Sequence, residues 1–452
     1  MITEEHPQPQ QQGFMHWLKE SVTVKLIFIA VLILVLLIPQ ALIDGLINER
    51  SGRQEQAIKT VSDQYSGEQL LQGPVLVIPY HEQVIETDSQ GKKSTREITE
   101  NLFILPNELK YKGNVNTDAL HKGIYKVPVY NGTIKVSGNF VKADLSALSL
   151  NEDQLMPEKA SLVFSISDLK GLKTNPQVKV AGQMLPVTPV AGDGVFPNSL
   201  QAQVNLKGLT DGQVPFEFDL DLKGSQELSF LHLGKTTDVE LNGNWPAPNF
   251  DGRFLPDTRK VTDKGFAARW RMLYYNRPFP QQWTRDMNLI ANSKKADDAI
   301  FGVKLMLTVD QYQQTTRTSK YAILIIMLTF VSLFLTEMIG KQKVHVFNYI
   351  LIGAAMVIYY TLLLSFSEQI GYSWAYLIAS VATIALISIF LASILKNRKA
   401  AIIFSVILTL FYSFIYVIIQ LEDLSLLIGS IALFIIVAAL MYSSRKINWD
   451  KP

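Results

Sequence analysis

The sequence predicts a membrane protein in two parts: an α-helical bundle of six transmembrane helices and a large, mainly-β, sandwich-like domain outside the membrane. Three observations carry this expectation. The C-terminal stretch 321–442 is nearly free of charge. A separate apolar run, 26–43, stands near the N-terminus. Between them, 46–319 is polar, broken by Gly and Pro, and alternates apolar with polar side chains.

Residues 1–25 are polar and rich in Gln and Pro (Pro7, Gln8, Pro9, Gln10, Gln11 and Gln12). That composition buries little apolar surface, so a disordered tail is expected. Residues 26–43 are uncharged, enough for one membrane helix. The stretch Ile38-Pro39-Gln40-Ala41-Leu42-Ile43-Asp44 offers no convincing small-x-small cleavage site, so 26–45 reads as a retained anchor rather than a signal peptide.

Residues 46–319 are long enough for a core of their own. The segment 48–65 lacks Pro, with Gly52 its single glycine, and extends the first helix outward until Gly67. Phe216, Phe218, Leu220 and Leu222 alternate with Glu217, Asp219, Asp221 and Lys223, the pattern of a strand with one wet face. Leu200 to Leu206 and Phe301 to Val309 alternate in the same way. Residues 124–130 and 133–140 read as a hairpin turning at Asn131-Gly132, a pair that tolerates positive φ. This turn is the plainer reading of a stretch, Asn131-Gly132-Thr133, that also matches the glycosylation sequon. Residues 74–80 form a short strand whose Pro79 suits an edge or an end.

Beyond the β domain, five apolar runs follow at 321–336, 346–367, 369–395, 400–421 and 424–444. Each reaches membrane length, the first once 337–339 are added. Domain limits are therefore 1–25, 26–45, 46–319, 320–444 and a C-terminal tail, 445–452. Lys19, Lys25, Lys341, Lys343, Lys396, Arg398, Lys399, Arg445, Lys446 and Lys451 mark one side of the membrane. Glu368, Glu422 and Asp423 mark the other. Basic short loops are cytoplasmic, so both termini are expected inside and 46–319 outside. Arg50, Arg53, Arg317 and Lys320 flank the outer side, but they belong to the long translocated segment, on which the rule bears less.

The chain is 48% hydrophobic with a net charge of +2, which argues against a basic nucleic-acid binder. It has no cysteine, which excludes thiolate catalysis, sulfur-ligated metals and a disulfide scaffold. His6, His16, His81, His121, His232 and His345 stand singly, and neither GxSxG nor GxxxxGK[ST] occurs, so no cofactor or metal is expected. A Ser-Lys or carboxylate-pair hydrolase stays open, because its residues need not be adjacent in sequence.

Glu337 and Glu368 are the most suggestive single residues, since burying a charge in a bilayer is costly. Both lie at expected helix ends, so an interfacial charge is the plainer reading and a proton or substrate site the sharper one. Tyr359 and Tyr360 are read as ordinary interfacial tyrosines. Ala375, Ala379 and Thr383 form a small-residue packing stripe. Arg317 and Lys320, behind Asp310-Gln311-Tyr312, either meet lipid phosphate or mark the end of the polar domain. The cluster around Trp245, from Asn244 to Pro256, is either a partner-binding loop or a packed Pro-rich corner.

These residues also carry a resemblance. Asn242-Gly243-Asn244-Trp245-Pro246 to Pro256, Gly265-Phe266 to Trp270, Val309-Asp310-Gln311-Tyr312 to Lys320-Tyr321-Ala322, Ser367-Glu368 with Gly371, and the earlier Gly73-Pro74 and Ile78-Pro79 resemble the CreD family of bacterial inner-membrane proteins. The likeness covers nearly the whole chain and departs in the tail before Lys19. It implies a multi-pass protein of the Gram-negative inner membrane, its domain 46–319 periplasmic, linked to cell-envelope integrity. It also implies expression under a two-component system that responds to carbon source and to envelope or β-lactam stress. It implies no catalytic residues. The expected function is therefore non-catalytic, with membrane lipids and an envelope protein or peptidoglycan-related molecule as partners. A transporter or lipid flippase using Glu337 or Glu368, and a periplasmic hydrolase, are the alternatives.

Overall fold

The computed structural model describes residues 22–87, 93–190, 194–207, 212–290, 294–306, 311–340, 344–395, 398–421 and 424–445. The chain divides into two compact units, Met1–Gln54 with Val309–Pro452, and Glu55–Thr308. Of the expected disordered tail, 1–21 lies outside the described residues, and 22–25 is not disordered but forms the first turn of the first helix, held there by the bond of Lys25 to Glu337.

The helical unit begins with α1 (Val22–Tyr65), 44 residues and about 66 Å long. Its last turns, in the β unit, show that the first helix continues as far as Tyr65, as expected: Val61, Ile58 and Tyr65 pack on Val127 and Val129. A short helix, α2 (Lys294–Asp297), belongs to the β unit. Next come α3 (Gln311–Lys320), α4 (Ala322–Gly340), α5 (Val346–Ile370), α6 (Tyr372–Ile394), α7 (Arg398–Gln420) and α8 (Ser425–Ser444). Among the described residues, five helices are long and apolar enough to cross a membrane: α1, α4, α5, α6 and α7. The sixth expected span corresponds to α8, whose apolar part, Leu427–Tyr442, is shorter. Helix α3 was assigned to the outer domain by its polarity, yet it belongs to the helical unit. Its polar residues Thr315, Thr318 and Ser319 are buried on one face with Tyr312. Buried polarity of this kind cannot be told from solvated polarity by composition.

The β unit is a two-sheet sandwich. Its strands run β1 (Gln69–Thr87), β2 (Lys93–Ile104), β3 (Glu108–Lys122), β4 (Tyr125–Val141), β5 (Ala160–Ile166), β6 (Gln177–Val180), β7 (Gln183–Pro186) and β8 (Thr188–Pro189). They continue with β9 (Ser199–Val204), β10 (Gln213–Ser225), β11 (Glu227–Leu231), β12 (Thr236–Gly243), β13 (Pro248–Gly252), β14 (Thr258–Thr262), β15 (Gly265–Leu273), β16 (Gln282–Thr284) and β17 (Ile300–Leu305). One sheet has the order β13-β17-β11-β1-β5-β9-β8, with β2 pairing the far half of β1 and β16 pairing β2. The other has the order β14-β15-β12-β3-β4-β10-β6-β7. Pairing is antiparallel except for β1 with β11 and β12 with β3.

The inner faces meet through aromatic contacts: Phe164 lies 4.7 Å from Phe218, Tyr111 5.0 Å from Phe230 and Phe250 5.8 Å from Trp270. Strand β10 buries Phe216, Phe218, Leu220 and Leu222 and turns Glu217 and Asp219 outward, as its alternation predicts.

Two expectations fail. Asn131-Gly132 is not a turn. Strand β4 runs straight through it, Asn131 opposite Asn116 on β3 and Lys223 on β10. The hairpin instead turns at Gly123 (φ 62°) and Ile124, where β3 ends and β4 begins. A local turn signal loses here to a long central strand paired on both sides. Pro79 also sits inside a long strand rather than a short one. It is tolerated because β1 pairs with β5 only as far as Val77, so one side of the ladder has already ended. At the neighbouring Gly73 (φ 100°), a Cβ would come within 2.9 Å of the Phe164 backbone, which only glycine permits.

A buried polar knot fixes the end of β11. His232 is fully buried, its Nδ1 2.9 Å from Thr237 Oγ1 and its Nε2 3.3 Å from the Leu273 carbonyl. Burial, together with the nearby Arg277 cation, lowers its pKa to about 4. Arg277 is buried as well, donating to the carbonyls of Leu233 (2.6 Å) and Phe279 (3.1 Å) and to Gln281 Oε1 (2.9 Å). The unfolded chain binds a proton at His232 below about pH 6.5, whereas the folded chain does not bind it until about pH 4. Stability from this group is therefore fully present above pH 6.5 and is lost as pH falls towards 4, by about 3 kcal/mol in all. Chemical denaturation of the full chain in detergent at pH 7 and pH 4.5 should show this loss, and His232→Gln should flatten it. Equal slopes in the two proteins would show that His232 is not the titrating group.

Candidate functional site

The two carboxylates singled out by the sequence are both engaged, at opposite ends of the helical unit. Glu337 lies near the end of α4 and is 6% exposed. One of its oxygens accepts from Lys25 Nζ, in the first turns of α1, and from the Val344 backbone N–H at 3.1 Å. The other accepts from Tyr349 OH on α5 at 2.9 Å. Lys25 also donates to the Val344 carbonyl at 2.9 Å and sits 5.3 Å above the Tyr349 ring. Helix α5 starts just after Val344, with His345 Nδ1 accepting from Phe347 N–H. A buried charge is tolerable only when paired and hydrogen-bonded, and this one ties α1, α4 and α5 together.

Glu368 lies near the far end of α5. It accepts from Tyr312 OH on α3 at 2.9 Å, and Arg50 Nε of α1 stands 3.8 Å away. Further along α1 and α3, Gln40 Nε2 on α1 donates to Ser319 Oγ at 2.6 Å, and Ser319 in turn donates to Asp44. Thr318 Oγ1 and Tyr372 OH are 2.7 Å apart. Tyr349 and Glu368 are 19 residues apart on α5, about 28 Å along its axis, so the two carboxylates do not converge.

The remaining sequence candidates are distributed. Arg317 is half-buried on α3, and Lys320, at the end of that helix, is exposed. Asp310 lies outside the described residues. Trp245 is in the β unit, packed on the core with its Nε1–H donating to the Met306 carbonyl at 2.8 Å. Phe250 follows on β13, an edge strand, so this cluster is a packed corner. Ala375, Ala379 and Thr383 are all buried, as a packing stripe requires.

Tyr359 and Tyr360 are not interfacial residues. They are buried well inside α5, with the Tyr359 ring 4.9 Å from Tyr412 and 6.1 Å from Tyr376. The hydroxyls of Tyr360 and Tyr412 have no hydrogen-bond partner among the described residues. Tyrosine spacing alone cannot separate such a core from a belt.

The β unit holds a pocket of about 310 Å³ between its sheets. Leu76 and Ile78 of β1 with Leu102 and Ile104 of β2 form a buried floor, and Leu206 and Val214 form half-buried walls. At its rim, Lys142 Nζ lies 2.5 Å from Glu152, and this lysine holds the Glu152 carboxyl below the usual carboxylate range. A separate polar cleft of about 380 Å³ brings together Asn114 and Asn116 of β3, Asn131 of β4 and Asn244.

Comparison with known proteins gives this arrangement a family. Residues 21–450 match the family described as Inner membrane protein CreD. The chain belongs to the CreD family. It is similar to the inner membrane protein CreD of Escherichia coli (strain K12), 31% identical over 426 residues, which are 92% of this chain and 91% of that protein. Membership makes it a multi-pass inner-membrane protein associated with the envelope.

In this CreD-family chain, several site residues escaped sequence reasoning. Gln40 was the one visible signal, a polar side chain inside the apolar run 26–43 with Asp44 one turn on. The pocket had none, because its walls come from strands far apart in sequence. The Lys25–Glu337 tie makes a direct prediction. Glu337→Gln leaves a mostly buried lysine without its counter-charge and should cost about 2 kcal/mol in thermal unfolding of the detergent-solubilised protein. Adding Lys25→Gln should recover more than half of that loss. An unchanged melting temperature in the single variant would show that the pair contributes nothing.

Proposed function

We propose that the chain is a non-catalytic inner-membrane protein that supports envelope integrity under envelope and β-lactam stress, its β domain periplasmic and binding an envelope lipid through the lipid's apolar chain. The pocket between the sheets carries this reading. It is concave and lined by Leu, Ile and Val, and its charged rim can face water while an apolar chain is covered. The engagement of Glu337 and Glu368 in interhelical ties supports it too, since neither is left as a lone intramembrane charge. The basic short loops favour cytoplasmic termini, which supports a periplasmic position for the domain between α1 and α4. Peptidoglycan-related or protein partners would share the same domain, and control by a two-component system is part of the proposal.

Filling the pocket tests it. Leu206→Trp with Val214→Trp should abolish rescue of a deletion strain under envelope stress, at equal membrane abundance and with an unchanged circular dichroism spectrum. Full rescue by this variant would overturn the binding role of the pocket.

A second reading, a transporter or lipid flippase, is favoured by one observation: the hydroxyls of Tyr360 and Tyr412, buried inside the helical unit, have no partner among the described residues. Such groups are costly in an apolar interior unless a polar partner reaches them. Tyr360→Phe with Tyr412→Phe should leave rescue intact if the β domain does the work. Loss of rescue at equal abundance would move the activity into the membrane.

A further inference from the structure

Helix α8 is held differently from the rest of the bundle. None of its described side chains is buried, whereas α5 buries residues along its whole length. Helix α8 approaches α7 at Gly429, where a Cβ would lie 3.8 Å from Ile418 Cδ1. From there towards the C-terminal end of α8, a groove of about 720 Å³ lies between α4, α7 and α8. Leu335 and Ile339 of α4, Ile403 and Phe411 of α7, and Ile436 and Leu440 of α8 line it. The Thr336 hydroxyl in its wall is satisfied by the Ser332 carbonyl at 2.7 Å, so the surface is effectively apolar. From Ala432 to Leu440 the groove runs about 12 Å along α8, close to the apolar depth of one leaflet, about 15 Å.

One end of this groove is basic. Ala400 lines it, and the preceding residue, Lys399, is exposed. Arg445, just beyond α8, is exposed too, with its guanidinium 5.9 Å from the Tyr442 ring centroid. Among the described residues at this end, Glu337 is paired with Lys25. An apolar slot one leaflet deep with two cations at its mouth matches an acyl chain joined to a phosphate. A second copy packed on α8 about a two-fold axis along the membrane normal would set these cations against their own mates, which disfavours self-association through this face.

We propose that the groove between α4, α7 and α8 holds an acyl chain of an anionic phospholipid of the same leaflet, its headgroup phosphate met by Lys399 and Arg445. This site is independent of the pocket in the β domain.

Native mass spectrometry of the full chain in detergent, titrated with palmitoyl-oleoyl phosphatidylglycerol or with phosphatidylcholine of the same chains, tests the proposal. Phosphatidylglycerol should bind about tenfold more tightly. Lys399→Gln with Arg445→Gln, which leaves the apolar wall untouched, should bring phosphatidylglycerol down to the phosphatidylcholine level. Ala432→Phe with Ala439→Phe should reduce occupancy by both lipids. Equal binding of the two lipids by the unaltered protein, or a preference that survives the charge substitutions, would overturn the proposal. So would a dimer that the groove-filling pair dissolves without changing lipid occupancy, since that would assign the face to a second copy. Should the groove-filling pair not fold, the charge pair decides the matter alone.

Discussion

A carboxylate buried at the end of an apolar helix must have its charge answered, and the cation that answers Glu337 lies 312 residues away in sequence. Lys25 comes from the helix that precedes the β domain, and Glu337 from the first long helix that follows it. A pairing this remote closes a loop containing the whole β unit. Helix α1 also packs closely on α5, Leu36 lying beside Gly353, where a Cβ would come within 2.4 Å of Leu36 Cδ1. The Tyr349 hydroxyl and the Val344 N–H complete the carboxylate's hydrogen bonding, so the charge is stabilised by geometry rather than by solvent. The opposite end of the helical unit repeats this logic with Tyr312, Glu368 and Arg50, and with Gln40, Ser319 and Asp44.

This use of polar residues decides how the helical unit can act. Carboxylates that serve as interhelical ties are pre-committed to partners from two other helices each, and they stand near opposite ends of α5. Among the described residues, buried hydroxyls without a hydrogen-bond partner gather in the tyrosine cluster of α5, α6 and α7, and the Oε1 atoms of Gln40 on α1 and Gln314 on α3 lack one too. In the β unit the division is between a core closed by aromatic contacts across the sheets and a pocket at which those contacts stop, bounded by Leu and Val side chains that remain half-exposed. A binding site of this kind is a gap in packing, and its chemistry is the chemistry of the core.

Much of the fold was legible. Charge-free runs of membrane length, strand alternation in β10 and the continuation of α1 beyond its apolar run all depend on residues close together in sequence, where burial follows a fixed period. The Asn131-Gly132 turn was misread for the same reason. Its local preference is real, but β4 is held by ladders to β3 and β10 on both sides, and that long-range pairing outweighs the preference of two residues. Tyr359 and Tyr360 were misread because an interfacial and an interior tyrosine have the same composition and differ only in their neighbours.

By itself, the sequence determined that this chain enters and leaves a membrane several times, that a β-rich domain stands between the first apolar helix and the others, and that Glu337 and Glu368 carry charge where charge is costly. Hydropathy and period are properties of adjacent residues and need no fold to be read. Only the tertiary structure decided which cation answers Glu337, that α3 belongs among the helices, and where the sandwich leaves an opening. Each of these depends on side chains brought together from distant segments, and no local pattern records such a meeting.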